Sequence, residues 1–155
     1  MPAFPWLAAL LTLALCALPL PAWADRFKVL ENPTYSEECA SCHLAYPPQL
    51  LDADSWRAVM SGLGKHFGSD ATVDDKRRQL LSDFLVSNAS RRASRDAAGK
   101  PLLRISETAH FRHEHDELSA AVWQRPAIKS RANCGACHSQ AATGDYRERH
   151  IRIPK

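Results

Sequence analysis

The sequence predicts a mainly α-helical protein with two units, an N-terminal helical unit and a smaller, irregular C-terminal unit. Two observations predict this class. In the segment 55–63 the apolar residues Trp56, Val59, Met60 and Leu63 recur at the spacing of an amphipathic helix. The pattern Cys-x-x-Cys-His also occurs twice, once in each half of the chain. The second half lacks the helix, loop and helix arrangement of the first, so we expect it to be less regular.

The first 24 residues are typical of a secretory signal peptide. They are uncharged, rich in Leu and Ala, and end in Ala22-Trp23-Ala24, which matches an A-x-A cleavage site. No Lys or Arg precedes the apolar run, so an uncleaved membrane anchor is the alternative. Cleavage leaves 155 − 24 = 131 residues without another apolar run that could span a bilayer. We therefore expect a soluble, exported, periplasmic protein without stable membrane insertion.

The charge and the apolar content limit the possible functions. The net charge is +3 and is spread along the chain, which gives no sign of a nucleic-acid-binding surface. Large apolar residues are sparse, and two domains of about 65 residues would have marginal cores. We therefore expect something other than side chains to fill part of the interior. The protein is also expected to be a monomer.

The two cysteine motifs indicate that this filling is haem. Residues 39–43 and 134–138 both have the c-type haem attachment pattern, in which two thiols bind the haem and the histidine binds its iron. The residues concerned are Cys39, Cys42, His43, Cys134, Cys137 and His138. Two disulfides, a redox pair or half a zinc site would not require a histidine after the second cysteine, twice. The sequence thus predicts two covalently bound haem c groups.

The elements of the first half follow from helix caps and breakers. Thr34 or Ser36 can cap a short helix that carries the first motif, and Pro47-Pro48 then force a turn. Asp54 is the expected cap of the helix at 55–63. A capping box of Thr72 and Asp75 is expected to open a further helix. Its apolar residues are Leu80, Leu81, Phe84 and Leu85.

The second half begins after a stretch with the composition of a linker. Residues 88–101 are small, polar and basic, so we place an N-terminal domain at 25–90 and a C-terminal domain at 91–155. A helix capped by Ser106 or Thr108 should follow, with the second motif on a later helix and a tail that wraps its haem.

Each iron has a second axial position, and few residues are available to fill it. His66 is the only spare histidine of the first half and lies in a glycine-flanked loop, so we assign it to the first iron. Met60 lies on the apolar face of its helix, which favours a place in the core. The candidates for the second iron are His110, His113, His115 and His150. The spacing of the three histidines within 110–117 does not by itself distinguish a metal site from a charged helix face.

Tyr46 lies three residues after His43 and is followed by two prolines, so it should be held against the edge of the first haem. It either faces the second haem on an internal electron route or packs in the core.

The mature chain resembles the bacterial dihaem cytochrome c (DHC) family over nearly all of its length. The resembling stretches are CASCHLAYPPQLL, SWRAVMSGLGKHFGSDA, RISET with Phe111 and His115, VWQRPAIKSRANCGACHSQA and GDYRERHIRIP. The resemblance implies an N-terminal class I cytochrome c-like haem domain and a C-terminal c-type haem domain with a fold of its own. It also implies bis-histidine ligation, with His66 on the first iron and His115 on the second.

The helical pattern favours the same choice for the second iron. His115 lies four residues after Phe111 and three before Leu118, which places it on the apolar side of the expected helix, whereas His113 projects among charges. We expect His110, His113 and His150 to be exposed or paired with haem propionates.

Two six-coordinate irons would leave no open site for a substrate, which favours electron transfer over catalysis. Histidine in place of methionine also favours low reduction potentials. The resemblance implies that electrons arrive from a membrane cytochrome b and pass to a small oxygen-binding monohaem cytochrome. The alternative is a small haem enzyme, a peroxidase or nitrogen-oxide reductase, with one open iron. The basic candidates for docking are Arg91, Arg92, Arg95, Lys100, Lys129 and Arg131.

Overall fold

A computed structural model describes residues 26–155, and within this range it is helical, with isolated β-bridges but no strand. The mainly α-helical prediction is therefore confirmed. The expected signal peptide at 1–24 lies outside the described residues. The α-helices are α1 (Pro33–Cys39), α2 (Ala53–Ser61), α3 (Asp75–Ser87), α4 (Ala109–His113) and α5 (Ala120–Trp123). Short 3-10 helices span Pro48–Leu50, Leu63–Lys65, Ile105–Glu107, Cys134–Ala136, Ala141–Thr143 and Glu148–His150. Within 26–155, each helix is too short or too polar to cross a membrane.

The core of the N-terminal half forms where α2 and α1 pack against α3. Its buried residues are Tyr35, Leu51, Trp56, Met60, Leu81 and Leu85. The indole N–H of Trp56 donates to the carbonyl of Pro48 at 2.7 Å, which satisfies the one polar atom of that side chain inside the core. Met60 is 4% exposed, as its place on the apolar face predicts. Leu80, by contrast, lies on the outer face of α3 and is exposed.

The helices of this half begin at caps that differ from the predicted ones. The helix α2 is capped by Asp52 instead of Asp54, because the Asp52 carboxylate accepts from the backbone N–H groups of Asp54 and Ser55. That carboxylate lies one residue before the helix, where a side-chain oxygen can reach the free N–H groups of the first turn. Asp54 instead lies within the first turn, where a negative charge favours the helix dipole.

Two further caps were also predicted at the wrong residues. The helix α1 is capped by Asn32, whose side chain accepts from the Tyr35 N–H at 2.9 Å, with Pro33 in the favourable first helical position. Asp74 caps α3, because Thr72 is held away from that role by hydrogen bonds to Asp70. The helices themselves were predicted in the right places, and only their first residues differ.

The C-terminal half has shorter helices than the sequence predicted. Thr108 caps α4 as expected, but the helix ends at His113 and does not continue to Leu118. Asp116 and Glu117 would place negative charge at the carboxyl end of a longer helix, where the helix dipole disfavours it. His115 therefore lies in the turn that follows α4.

The second motif forms a single 3-10 turn instead of lying on an α-helix. The Cys137 N–H donates to the carbonyl of Cys134 at 3.2 Å, which closes the 3-10 turn, and the His138 N–H donates to the same carbonyl at 2.9 Å. The helix does not continue beyond this turn. The tail packs against this turn, and its wrapping of the second haem stays a prediction. The Arg152 N–H donates to the carbonyl of Cys137 at 2.9 Å, and Arg125 holds the carbonyl of Pro154 at 2.8 Å.

Part of the stretch 88–101 packs against the N-terminal half. The Ser90 N–H donates to the carbonyl of Leu51 at 2.8 Å, and the Ser94 N–H donates to Asp52 at 2.6 Å. The second contact gives the buried Asp52 carboxylate one of the donors that it needs.

Candidate functional site

Two pairs of histidine rings face each other, one in each half of the chain. The ring centres of His43 and His66 lie 6.1 Å apart with an angle of 23° between the planes. Those of His115 and His138 lie 6.0 Å apart with an angle of 76°. Each pair joins the histidine of a cysteine motif to a histidine from a different part of the chain. The structure thus brings together the four histidines that were assigned to the irons.

This separation fits a metal ion held between two imidazoles. An imidazole nitrogen lies about 2 Å from a metal that it binds, so two ligands on opposite sides have nitrogens about 4 Å apart and ring centres about 6 Å apart. Hydrogen-bonded or stacked imidazoles would have other separations. The residues present therefore fit an iron with two axial histidines at each site.

His43 is held with one nitrogen free to bind. Its Nδ1 lies 2.7 Å from the carbonyl of Leu44, and because a carbonyl only accepts, Nδ1 carries the hydrogen. The neutral ring then keeps the lone pair of Nε2 for a metal. The Tyr46 ring stacks on the His43 ring, with ring centres 4.7 Å apart and planes 18° from parallel. Both contacts fix the orientation of the ring.

His66 comes from the loop between α2 and α3. Its backbone carbonyl accepts from the Ser69 N–H at 3.0 Å, which closes a tight turn beside the first motif. Burial, together with the nearby His43 ring, lowers the pKa of His66. A lowered pKa keeps the imidazole neutral, and only the neutral form can bind a metal.

His115 has the same kind of support as His43. Its Nδ1 lies 2.8 Å from the carbonyl of Phe111, so this nitrogen donates and Nε2 is free to bind. The ring also stacks on that of Phe111 at 4.1 Å. Although the helix is shorter than predicted, Phe111 and His115 keep the spacing of one helical turn, and the ring points towards His138 as expected.

His138 is placed by the second motif and by the tail. It follows the turn that starts at Cys134, and its backbone pairs with Ile151. Its ring lies 5.0 Å from that of Tyr146, which in turn meets Phe27 edge-on at 5.2 Å. The chain start and the chain end of the described part therefore both enclose this site.

In the described part of the chain, the four cysteines of the two motifs are not paired in disulfides, so each sulfur is available for haem attachment. Burial raises the pKa of Cys39 to about 11, and the neighbouring Glu38 adds to the shift. Burial likewise raises the pKa of Cys134 to about 11. Before haem attachment, Cys39 and Cys134 therefore lack the lowered pKa that is typical of a redox-active cysteine.

The remaining histidines of the described part have other surroundings. His110 is exposed, with Glu114 3.7 Å away, and His113 is exposed as well. His150 lies 3.2 Å from the buried carboxylate of Asp145. Between residues 26 and 155, groups of three or more His, Cys, Asp or Glu that could hold a metal ion are absent. The histidines at 110–117 thus contribute one member of a facing pair and two surface side chains.

Tyr46 connects the two sites. Its hydroxyl donates to the carbonyl of Ala132 at 2.6 Å, two residues before Cys134, while its ring stacks on His43. The Tyr35 hydroxyl donates to the Tyr46 carbonyl at 2.7 Å and fixes the backbone. Burial raises the pKa of Tyr46 to about 12, so the phenol stays protonated and keeps its hydrogen to donate. Tyr46 therefore lies between the two cysteine motifs. This position is the one that a place on an internal electron route would require.

The sequence did not indicate the network around Asp52. Arg95 donates to both oxygens of this carboxylate at 3.1 Å and to Asp54 at 2.6 Å. Burial alone would raise the pKa of Asp52, but hydrogen bonds from the Ser94 and Ser55 backbones and from Arg95 outweigh it, and the pKa is lowered. Arg95 is a docking candidate by its sequence, but in the structure it contributes to this network.

Comparisons with known proteins agree with this arrangement. The family model for dihaem cytochrome c (DHC) matches residues 35–146. A crystal structure of DHC from Rhodobacter sphaeroides is 41% identical, with 76% of this chain and 99% of that chain covered and a TM-score of 0.65. A diheme cytochrome c from Shewanella baltica OS155 is 34% identical, with 81% and 95% covered and a TM-score of 0.70. A further Rhodobacter sphaeroides diheme cytochrome c is 37% identical, with 76% and 98% covered and a TM-score of 0.65. No curated protein sequence matches the chain.

Proposed function

Since the chain belongs to the dihaem cytochrome c family and carries two covalently bound haem c groups, we propose that it transfers electrons through two irons that are each held by two histidines. His43 and His66 hold the first iron, and His138 and His115 hold the second. The observation that carries this proposal is the separation of about 6 Å within each facing pair, 6.1 and 6.0 Å.

The protein supplies attachment and orientation. Cys39 and Cys42 attach the first haem, and Cys134 and Cys137 attach the second. The bound haem supplies a one-electron redox centre. The hydrogen bonds from Nδ1 of His43 and of His115 to backbone carbonyls hold the rings in place and increase the basicity of the ligating nitrogens. Filled axial positions leave no room for a substrate, which favours an electron carrier over a haem enzyme.

The resemblance in sequence also supports a particular place in electron transport. In this proposal the protein acts as a monomer in the periplasm, receives electrons from a membrane cytochrome b and passes them to a small oxygen-binding monohaem cytochrome. Axial histidines in place of methionine suit the donor role, because they lower the reduction potential.

Basic residues beside the second motif and in the stretch 88–101 are available for docking with this acceptor. Lys129 and Arg131 are exposed beside the second motif, and the Arg131 guanidinium lies 5.0 Å from the centre of the Trp123 ring. Arg91, Arg92 and Lys100 are exposed in the stretch 88–101. Small electron-transfer interfaces depend on such charges mainly for their association rate.

Electron transfer to the small oxygen-binding monohaem cytochrome is expected to slow as salt is added. Raising the ionic strength from about 0.01 to about 0.15 M shortens the Debye length from about 30 to about 8 Å, and we expect the bimolecular rate to fall about tenfold. Stopped-flow mixing of the reduced protein with the oxidised acceptor measures this rate.

Reaction with a small uncharged redox reagent serves as the control and should change little over the same range. Replacing Arg131 with alanine should reduce the salt dependence of the acceptor reaction. A rate that is the same at low and high salt would count against an electrostatic dock at this surface, and absence of any transfer would count against the acceptor.

A further inference from the structure

The turn that carries His66 has a backbone conformation that its sequence does not favour. Phe67 and Gly68 have φ angles of +50° and +100°, and the Ser69 N–H donates to the His66 carbonyl at 3.0 Å. Two positive φ angles between hydrogen-bonded ends are the signature of a type I′ turn, whose first central position favours Asn, Asp or Gly. Phenylalanine at that position is uncommon and is retained only where surrounding contacts compensate.

The contacts of the Phe67 ring supply this compensation. One contact is with His66, whose ring it meets edge-on at 4.9 Å. The other is with Arg104, whose guanidinium carbon lies 4.2 Å from the ring centre. The ring is thus held between the histidine and the arginine.

Arg104 is anchored in a segment that belongs to the other half of the chain. The Arg104 Nε lies 3.8 Å from Oε1 of Glu107. Ile105, the residue after Arg104, packs against the N-terminal core. This segment leads through Thr108, the cap of α4, to Phe111, on which His115 stacks. The stretch 104–115 therefore contacts the loop that carries His66 and itself carries His115.

We propose that Arg104 is a positioning residue for His66, acting through the Phe67 ring, and that it holds this imidazole against the first iron. The inference rests on the proposed ligation of that iron by His66. Without the guanidinium, the strained turn loses a compensating contact and the imidazole spends more time away from the iron. A cation–π contact at an exposed site accounts for about a two- to fivefold change in such an equilibrium.

The test is the rate of carbon monoxide binding to the reduced, haem-loaded protein. Carbon monoxide binds an iron with two histidine ligands only while one of them is detached, so the rate reports the detached fraction. We expect Arg104→Ala to raise the rate at the first haem about two- to fivefold. The His66→Ala variant, whose first iron is open, identifies the spectrum of that haem.

Two further variants separate positioning from a general loss of stability. Phe67→Leu keeps a side chain that the positive φ angle disfavours but removes the aromatic ring, so it should raise the rate as Arg104→Ala does. This variant provides the test if Arg104→Ala does not fold. Arg78→Ala is the matched control, because Arg78 has a similar exposure, 46% against 49%, and likewise pairs with an acidic residue three positions away.

The possible outcomes distinguish the two hypotheses. Rates for Arg104→Ala and Phe67→Leu equal to that of Arg78→Ala, in a protein that otherwise binds carbon monoxide slowly, overturn the positioning role and leave the ligation intact. Fast binding at the first haem of the unmodified protein contradicts the ligation by His66 itself.

Discussion

Replacing His115 with alanine is expected to open the second iron while its haem stays attached. The side chain is one of two imidazoles at that site, with its ring 6.0 Å from that of His138, and no other histidine ring of the described part lies against it. Cys134 and Cys137 are untouched, so attachment should persist. About half of the haem absorption should then change from low-spin to high-spin, and the reduced form should rapidly bind about one carbon monoxide per protein.

His113→Ala is the control for this variant. His113 lies two residues away on the exposed side of the same segment, and its loss should leave both irons low-spin. A wild-type spectrum in His115→Ala would show that His115 is not a ligand of the second iron. A change to high-spin in His113→Ala would instead identify His113 as that ligand. His110 and His150 are already engaged with Glu114 and Asp145, which makes them poorly placed to take over.

The Asp52→Ala variant should have the largest effect on stability. Asp52 is 5% exposed, caps α2, and accepts from Ser94 and Arg95, which lie about 40 residues further along the chain. Loss of the cap costs about 1 kcal/mol, and leaving buried donors without their charged acceptor costs about 2 kcal/mol more. We expect the free energy of unfolding to fall by about 3 kcal/mol in a denaturant titration.

Asp52→Asn should lose about half as much, because asparagine caps helices as well as aspartate but has no charge for Arg95. Asp75→Ala is the matched control, since Asp75 is in the first turn of α3 and its side chain is 94% exposed. Equal losses for Asp52→Ala and Asp75→Ala would contradict the structural role of Asp52.

The same residue predicts how stability depends on pH. The pKa of Asp52 is lowered in the folded protein from the ordinary 3.8, so the folded state favours the charged form. This contribution is fully present above the unfolded pKa and is lost as the pH falls through the lower folded value. The difference in unfolding free energy between the unmodified protein and Asp52→Asn should therefore be constant near neutral pH and shrink below about pH 4.

The sequence predicted best those features that are determined by residues adjacent in the chain. The haem attachment sites follow from five adjacent residues, and His66 follows from being the one spare histidine of its half. The caps were harder, because Asp52 and Asp54 stand two residues apart and either could begin α2. The apolar spacing of Phe111 and Leu118 predicts a longer α4 than the protein has. Two acidic residues near the expected carboxyl end disfavour the additional turn through the helix dipole.

Contacts between distant residues had no signal in the sequence. Tyr46 and Ala132 are 86 residues apart, and Asp52 and Arg95 are 43 apart. Both contacts join segments that are brought together by the packing of the two halves, so neither composition nor periodicity could indicate them. The contact between Phe67 and Arg104 depends on a positive φ angle at Phe67, which phenylalanine rarely adopts. Local sequence preferences would therefore have argued against this backbone conformation.

Electron paramagnetic resonance of the oxidised, unmodified protein tests most directly whether both irons are held between two histidines. The angles of 23° and 76° between the paired rings make the two sites different. Near-parallel imidazoles give a rhombic low-spin signal, and near-perpendicular ones give a strongly anisotropic low-spin signal. We expect one signal of each kind, in equal amounts, which together account for all the iron. A high-spin signal from half of the iron or more would contradict bis-histidine ligation and favour an enzyme with an open site.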